Sequence, residues 1–255
     1  MIVILLCIAM TGNAQEIFVT PREVATQLNV GAANSLDTYL SPEKYRGMEL
    51  RFNSDVMRNS TKRQLTYSLS HEGALGYLHN RVGNAHELCG HYAFAYGVMY
   101  RWQLMDDRLR IMAGGMAEGS IGFSYNTRTS ANNPAQAYVS MDIGPQVAAQ
   151  YRFRLFNRVF RVSYSARVPL VGLMFSPNYG QSYYEIFDRG NYDRNIVPVT
   201  IATFQMSQQV ALDIPVGKRT AIRVGYLGDI RQTKPNGLRQ HHYYNAGTIG
   251  VVVCK

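Results

Sequence analysis

One hairpin limits the possible fold more than any other stretch of the chain. From Gly90 to Leu104 the sequence reads GHYAFAYGVMYRWQL, and its residues sort by parity. Tyr92, Phe94, Tyr96, Val98, Tyr100, Trp102 and Leu104 fall on one side, and His91, Ala93, Ala95, Gly97, Met99, Arg101 and Gln103 on the other. A strand points successive side chains to opposite faces, so this arm has one continuous apolar face and one small or polar face. After Met105-Asp106-Asp107-Arg108 the second arm repeats the pattern to Tyr125. There Leu109, Ile111, Ala113, Ile121 and Phe123 oppose Arg110, Met112, Met116, Glu118 and Ser120. Both arms exceed the roughly six residues usual for globular strands. Both reach the about ten tilted residues that cross a bilayer.

The same rhythm runs through most of the chain. Met48, Leu50, Phe52 and Val56 alternate with Glu49, Arg51, Asn53 and Asp55. Further alternating segments follow from Leu65, Tyr138, Phe160, Phe204 and Ile222. A poor first strand is expected over Gln27 to Leu36, and a poorly alternating last one over Tyr243 to Cys254. The connections near Lys62, Asp107, Asn157 and Val216 are short, whereas those near Ser41, Asn84, Asn132, Tyr184 and Asn236 are mostly longer. Short turns on one side and longer loops on the other are the mark of an outer-membrane barrel. The expected fold is all-β: a closed antiparallel up-and-down transmembrane β-barrel of about ten strands.

Alternation alone does not say which face turns inward. Aromatics stand near both ends of the apolar stripe, as in interfacial girdles. The five lysines, Lys44, Lys62, Lys218, Lys234 and Lys255, all fall in turns, loops or the extreme end. Charge within the strands is almost all Arg, Asp or Glu. A narrow interior favours Arg, whose planar fork pairs with carboxylates. The apolar face is therefore expected to meet lipid at Tyr96, Val98, Ala113, Val147 and Val162. Arg101, Arg110, Glu118, Asp142, Arg152 and Arg161 are expected to line the lumen. About ten strands give a narrow barrel, so these charges are expected to pair with one another as a plug rather than to line a pore.

The N-terminus divides from the rest. Met1 to Met10 is apolar and too short to span as a helix, and Thr11-Gly12-Asn13-Ala14 supplies small residues. Residues 1–14 thus read as a secretory signal, 15–26 as an N-terminal segment, and 27–255 as the barrel. Cys7 leaves with the signal. Cys89 and Cys254 are expected at opposite ends of the wall and therefore unpaired. The net charge of +9 is spread along the chain without any nucleic-acid motif, so no nucleic acid is expected as a partner. An anionic lipid or glycolipid surface fits better.

Four stretches are familiar: GLMFSPNYGQSYYEIF (Gly172 to Phe187), NSLDTYLSPEKYRG (Asn34 to Gly47), NNPAQAY (Asn132 to Tyr138) and YLGDIRQ (Tyr226 to Gln232). Together they resemble an uncharacterised outer-membrane β-barrel family of Bacteroidetes, a domain of unknown function. The resemblance implies a Gram-negative outer membrane as location, with outer-membrane lipid and lipopolysaccharide as surroundings and the barrel assembly machinery as a partner during biogenesis. It implies no reaction.

Catalytic chemistry finds little support. Barrel lipid hydrolases place Ser two residues after His on one strand face, and no His here has Ser at that spacing. His71 and Ser70 are adjacent and so face opposite ways. His79 and His86 flank Asn80 and Asn84 in what reads as a loop from Leu78 to Leu88. No metal site or cofactor is expected. The leading expectation is a non-enzymatic barrel whose surface loops bind or stabilise a cell-envelope or extracellular partner. A lipid-modifying hydrolase with an unrecognised site and a narrow transporter are the alternatives. The loop from Ser176 to Val197 is the expected contact surface, through Tyr179, Tyr183, Tyr184, Glu185, Asp188 and Asp193. The other reading of that loop is a lid folded back over the barrel.

Overall fold

The computed structural model describes residues 18, 20–127, 133–192, 194–199 and 203–255. The expected signal at 1–14 and the residue Asp193 lie outside them.

The strands are β1 (Arg22–Asp37), β2 (Tyr45–Asn59), β3 (Leu65–Asn80), β4 (His86–Leu104), β5 (Leu109–Asn126), β6 (Ala135–Leu155), β7 (Arg158–Arg167), β8 (Val171–Phe175), β9 (Ile196–Val199), β10 (Gln205–Pro215), β11 (Thr220–Thr233) and β12 (Gln240–Cys254). A short helix, α1 (Tyr183–Phe187), lies between β8 and β9. Every pairing is antiparallel, β5 joins β6, and β1 joins β12, so the sheet closes. β7 and β8 pair with successive stretches of the same edge of β6, while β10 pairs with β7 and β9 with β8. These are two interrupted strands. Counted once each, they make the wall a ten-stranded barrel.

The interruption in β7–β8 has a local cause. Pro169 has no N–H to give the ladder. Val168 and Leu170 on either side donate to the carbonyls of Pro145 and Ile143, both at 3.0 Å. The bulged chain crosses over Gly144, where a Cβ would collide with the carbonyl oxygen of Val168. Glycine is the residue that lets the two backbones approach.

One end of the barrel carries the tight turns. Phe156 and Asn157 both have positive φ, 47° and 58°, as a two-residue type I′ hairpin requires. Both ends of the wall meet there, since Arg22 and Lys255 exchange backbone hydrogen bonds of 3.1 and 2.8 Å. The other end carries the longer loops, of which the β8–β9 connection is the longest.

The faces are those expected. Tyr96, Val98, Val147 and Val162 are exposed on the outer wall, and Ala113 is half-exposed. Arg51 and Arg161, by contrast, are 0% exposed inside. Apolar outside and charged inside is the arrangement of a barrel whose solvent is lipid. On β3 the outward residues run from Tyr67 through Leu69, His71 and Leu75 to Tyr77. Ten residues of tilted strand make a band of about 25 Å, the height of the apolar belt of such barrels.

Several boundaries differ from the sequence reading. β1 begins at Arg22, inside the expected N-terminal segment 15–26. Its inward residues there, Glu23, Ala25 and Gln27, and its outward Val24 and Thr26 do not contrast enough in polarity to show alternation. The loop expected over Leu78 to Leu88 shrinks to 81–85, because β3 and β4 run on past the belt with His79 opposite His86. β12 starts at Gln240, so His241 and His242 are strand residues on opposite faces. Cys89 and Cys254 are both free and buried, as expected, at opposite ends of the wall.

Candidate functional site

The interior holds two layers of paired charge. Near the turn end, Arg161 on β7 reaches Glu23 at 2.5 Å and Asp213 at 2.7 Å, and Arg223 on β11 joins Asp213 at 2.7 Å. The ring of Phe18 lies 4.3 Å from the Arg161 guanidinium. Toward the loop end, Arg51 on β2 is held by Glu49 at 2.5 Å, Asp229 at 2.8 Å and Glu72 at 3.1 Å. Arg231 joins Asp229, Glu72 and Glu118, and the Tyr244 ring lies under Arg51. Hydrogen bonds among Gln27, Asp55, Ser70 and Gln209 bridge the height between the layers, beside a cavity of about 100 Å³ lined by Asp55, Ser70, Gln209 and Arg167 among others. Charge taken this far from water needs partners at such distances. These contacts tie facing walls of the lumen together at two heights.

A lid closes the loop end. The α1 helix opens with a capping box: Ser182 accepts from the Glu185 N–H, and the Glu185 carboxylate accepts from the Ser182 N–H. Ile186 points down and is fully buried. Tyr183 accepts from the Ala137 N–H at 2.7 Å and donates to Gln136 at 3.1 Å, which pins the helix to β6. Tyr39, from the β1–β2 loop, donates to the Gln181 carbonyl at 2.7 Å and accepts from Asn133 at 2.9 Å. Three loops are thereby tied together. Burial pushes the Tyr183 phenol up to about 12, and burial also raises that of Tyr39. Both stay protonated and keep donating.

Beneath the lid is a cavity of about 140 Å³, lined among others by Ser35, His91, Ser124, Tyr138, Gln240 and His242. Its lining mixes these polar groups with apolar residues such as Leu36, Met174 and Val199, and it has space for several waters. Its three imidazoles are already engaged, His91 with Glu72 at 2.8 Å, His242 with Glu49 at 2.7 Å and His241 with Asn34 at 3.1 Å. Among the described residues no serine, threonine or cysteine side chain is hydrogen-bonded to a histidine ring. An activated nucleophile would need that contact. No group of three His, Cys, Asp or Glu among the described residues is placed to hold a metal ion.

Arg101, Arg110, Glu118, Asp142 and Arg161 are buried in the lumen. Arg101 donates to the Ser60 carbonyl, and Asp142 sits across from Glu118 and accepts from Ser140. Arg152 is near the turn end, bonded to the Asp107 carbonyl. Of the loop set, Tyr183 and Glu185 are occupied in holding the lid. Tyr179 (85% exposed) and Tyr184 (57%) point outward, and Asp188 is exposed as the helix C-cap. Glu23, Asp213 and Arg231 belong to the charge layers but are absent from the expected lumen set. Their only sequence signal is parity within their strands.

The model of a family described as "Protein of unknown function (DUF3316)" matches residues 1–254. The chain belongs to that family. No curated protein sequence matches it. Its structure is similar to that of the outer membrane protease OmpT from Escherichia coli, with a TM-score of 0.57 at 9% identity, covering 92% of this chain and 96% of that one. The transport unit of the autotransporter AIDA-I, also from Escherichia coli, gives 0.45 at 7% identity over 99% and 96% of the two chains. Neisserial surface protein A gives 0.40 at 8% identity over 92% and 98%. At such identities the likeness to OmpT concerns the fold: a closed antiparallel barrel of the outer-membrane kind.

Proposed function

We propose that this DUF3316 protein is a sealed outer-membrane barrel of a Gram-negative bacterium, of Bacteroidetes origin by the stretches quoted above. It displays a rigid lid to the outside and works by binding there. In this orientation the turn end is periplasmic and the loop end faces outward. The observation that carries the reading is the pairing of Arg51 and Arg161, each wholly buried and held by two or more carboxylates. A lumen crossed twice by such contacts leaves the outer surface as the place for function. The lid presents Tyr179, Tyr184, Phe187 and Tyr192 to solvent, each more than half exposed. Aromatic rings of this kind offer large contact area at low entropic cost.

Purified protein in planar bilayers tests the sealed lumen. No steady conductance is expected, either from the native protein or from a variant lacking residues 177–194, because both charge layers remain. A stable open current from the native barrel would replace this reading with the transporter. Hydrolysis of bilayer lipid in the same preparation would replace it with the enzyme.

A further inference from the structure

Outside the lumen, one flank of the loop end carries a cluster of cations at and beside the strand ends. β12, β1, β2 and β3 are neighbours, and just above the apolar belt their outward side chains are polar or basic. Arg46 pairs across the sheet with His79 on one side and Asn34 on the other. Asn34 in turn pairs with Tyr243, and His241 Nε2 donates at 3.1 Å to Asn34 Oδ1 while its ring stacks on Tyr243 at 4.5 Å. Lys44 is close enough to His241 to interact with it electrostatically. Arg239 closes the group, its backbone bonded to Thr38 at the top of β1. Lys44, Arg46, His79 and Arg239 are all exposed.

These cations have no acid of their own. No ion pair among the described residues involves Lys44, Arg46 or Arg239. Glu43, the nearby exposed acid, is bonded to Asn80 at 2.7 Å. Asp37 and Glu87 face the lumen and are buried. The opposite flank differs. At the same height β5, β6, β8 and β9 turn out Tyr125, Ala137, Phe175 and Ile196, with no charge at those strand positions.

Height identifies the partner. Tyr77 marks the upper edge of the apolar belt, and His79 with its neighbour Arg46 stands two residues further on. That is about 5 Å beyond the hydrocarbon, within the headgroup layer of a bilayer. Directly below lie Met48, Leu50 and Tyr77, each at least 45% exposed. Basic and amide groups at headgroup depth over an apolar wall match a molecule with an anionic head and hydrocarbon chains. We infer that the face of β12–β1–β2–β3 is a binding site for a lipid phosphate in the outer leaflet, with Lys44, Arg46 and Arg239 as its charges and Asn34 and His241 as hydrogen-bonding groups. The inference rests on the membrane orientation proposed above.

The test uses full-length mature protein in phosphatidylcholine nanodiscs doped with phosphatidic acid. Retained phosphatidic acid is measured by mass spectrometry after gentle detergent extraction. The rim variant carries Lys44→Gln, Arg46→Gln and Arg239→Gln. A control carries Arg22→Gln, Arg58→Gln and Lys62→Gln at the turn end, an equal loss of charge. Retention should fall about tenfold or more in the rim variant and stay near native in the control, since only the rim variant loses its cations at the site. Equal losses in both variants would show diffuse attraction and overturn the site. Displacement of the lipid by inorganic phosphate or a soluble sulfated polysaccharide would overturn its assignment to lipid. Failure of the native protein to enter nanodiscs would instead remove the membrane reading beneath it. Unchanged thermal melting of both variants excludes misfolding as the cause.

Discussion

The lumen and the outer rim use the same residue type in opposite ways. Arg51, inside, is wholly buried and has three carboxylates within 3.1 Å. Arg46, five residues earlier on the same strand, faces outward with no acid. The difference teaches how to read charge on a barrel wall. A cation answered within the chain holds the structure together. A cation left unanswered at headgroup height is addressed to something else. One residue of parity decides which.

The largest effect should come from breaking a lumen layer. Arg51→Ala takes from Glu49, Glu72 and Asp229 the cation that all three share and should cost about 3–5 kcal/mol, read from urea unfolding in lipid vesicles. Neutralising Glu49 as well, the one of the three that Arg231 does not touch, should recover part of that loss. If it recovers nothing, the layer is not acting through its charges. The outer wall gives the next largest effect. Val98→Arg near mid-belt should cost about 2–4 kcal/mol in the same assay. A near-zero value would reverse the two faces.

The lid should be more forgiving. Tyr183→Phe removes the group that accepts from Ala137 and donates to Gln136, and should cost about 1–3 kcal/mol. Tyr184→Ala, on the exposed side of the same helix, should stay within about 0.5 kcal/mol. Equal costs at the two positions would mean that the lid is not pinned as described. The smallest effect belongs to the rim: Arg46→Gln should leave stability within about 0.5 kcal/mol while weakening lipid retention. A large stability loss there would erase the distinction drawn above.

How much of this the sequence revealed depended on contrast between faces. β4 and β5 were legible because Tyr92 to Leu104 never break parity. β1 and β12 were faint because their inner faces carry Ala25, Ala33, Ala246 and Val252 while Asn34 and Asn245 face outward. The charge layers were half legible. Parity shows that Arg161 points inward, but its partner Glu23 is 138 residues away, and nothing local joins them. The lid was legible in principle. Ser182 followed three residues later by Glu185 is a capping box, the sign that Glu185 closes a helix rather than reaching for a ligand. Tyr183 gave no such sign, since its partners lie on β6.

The seam between β1 and β12 also governs the order of assembly. Every other neighbouring pair can zip as a hairpin or a short return, but this one joins the two extremes of the wall and must wait for the last strand. Non-local pairing of this kind is slow, because loop-closure entropy is lost before contacts compensate it. Glu23 lies on β1 itself, and Arg51 meets Asp229 across 178 residues through the same closure. An unclosed sheet would leave both layers incomplete, with charges that have no mates. The interior therefore acts as a checkpoint on completion: the barrel gains most of its stability in one step, when its last strand finds its first.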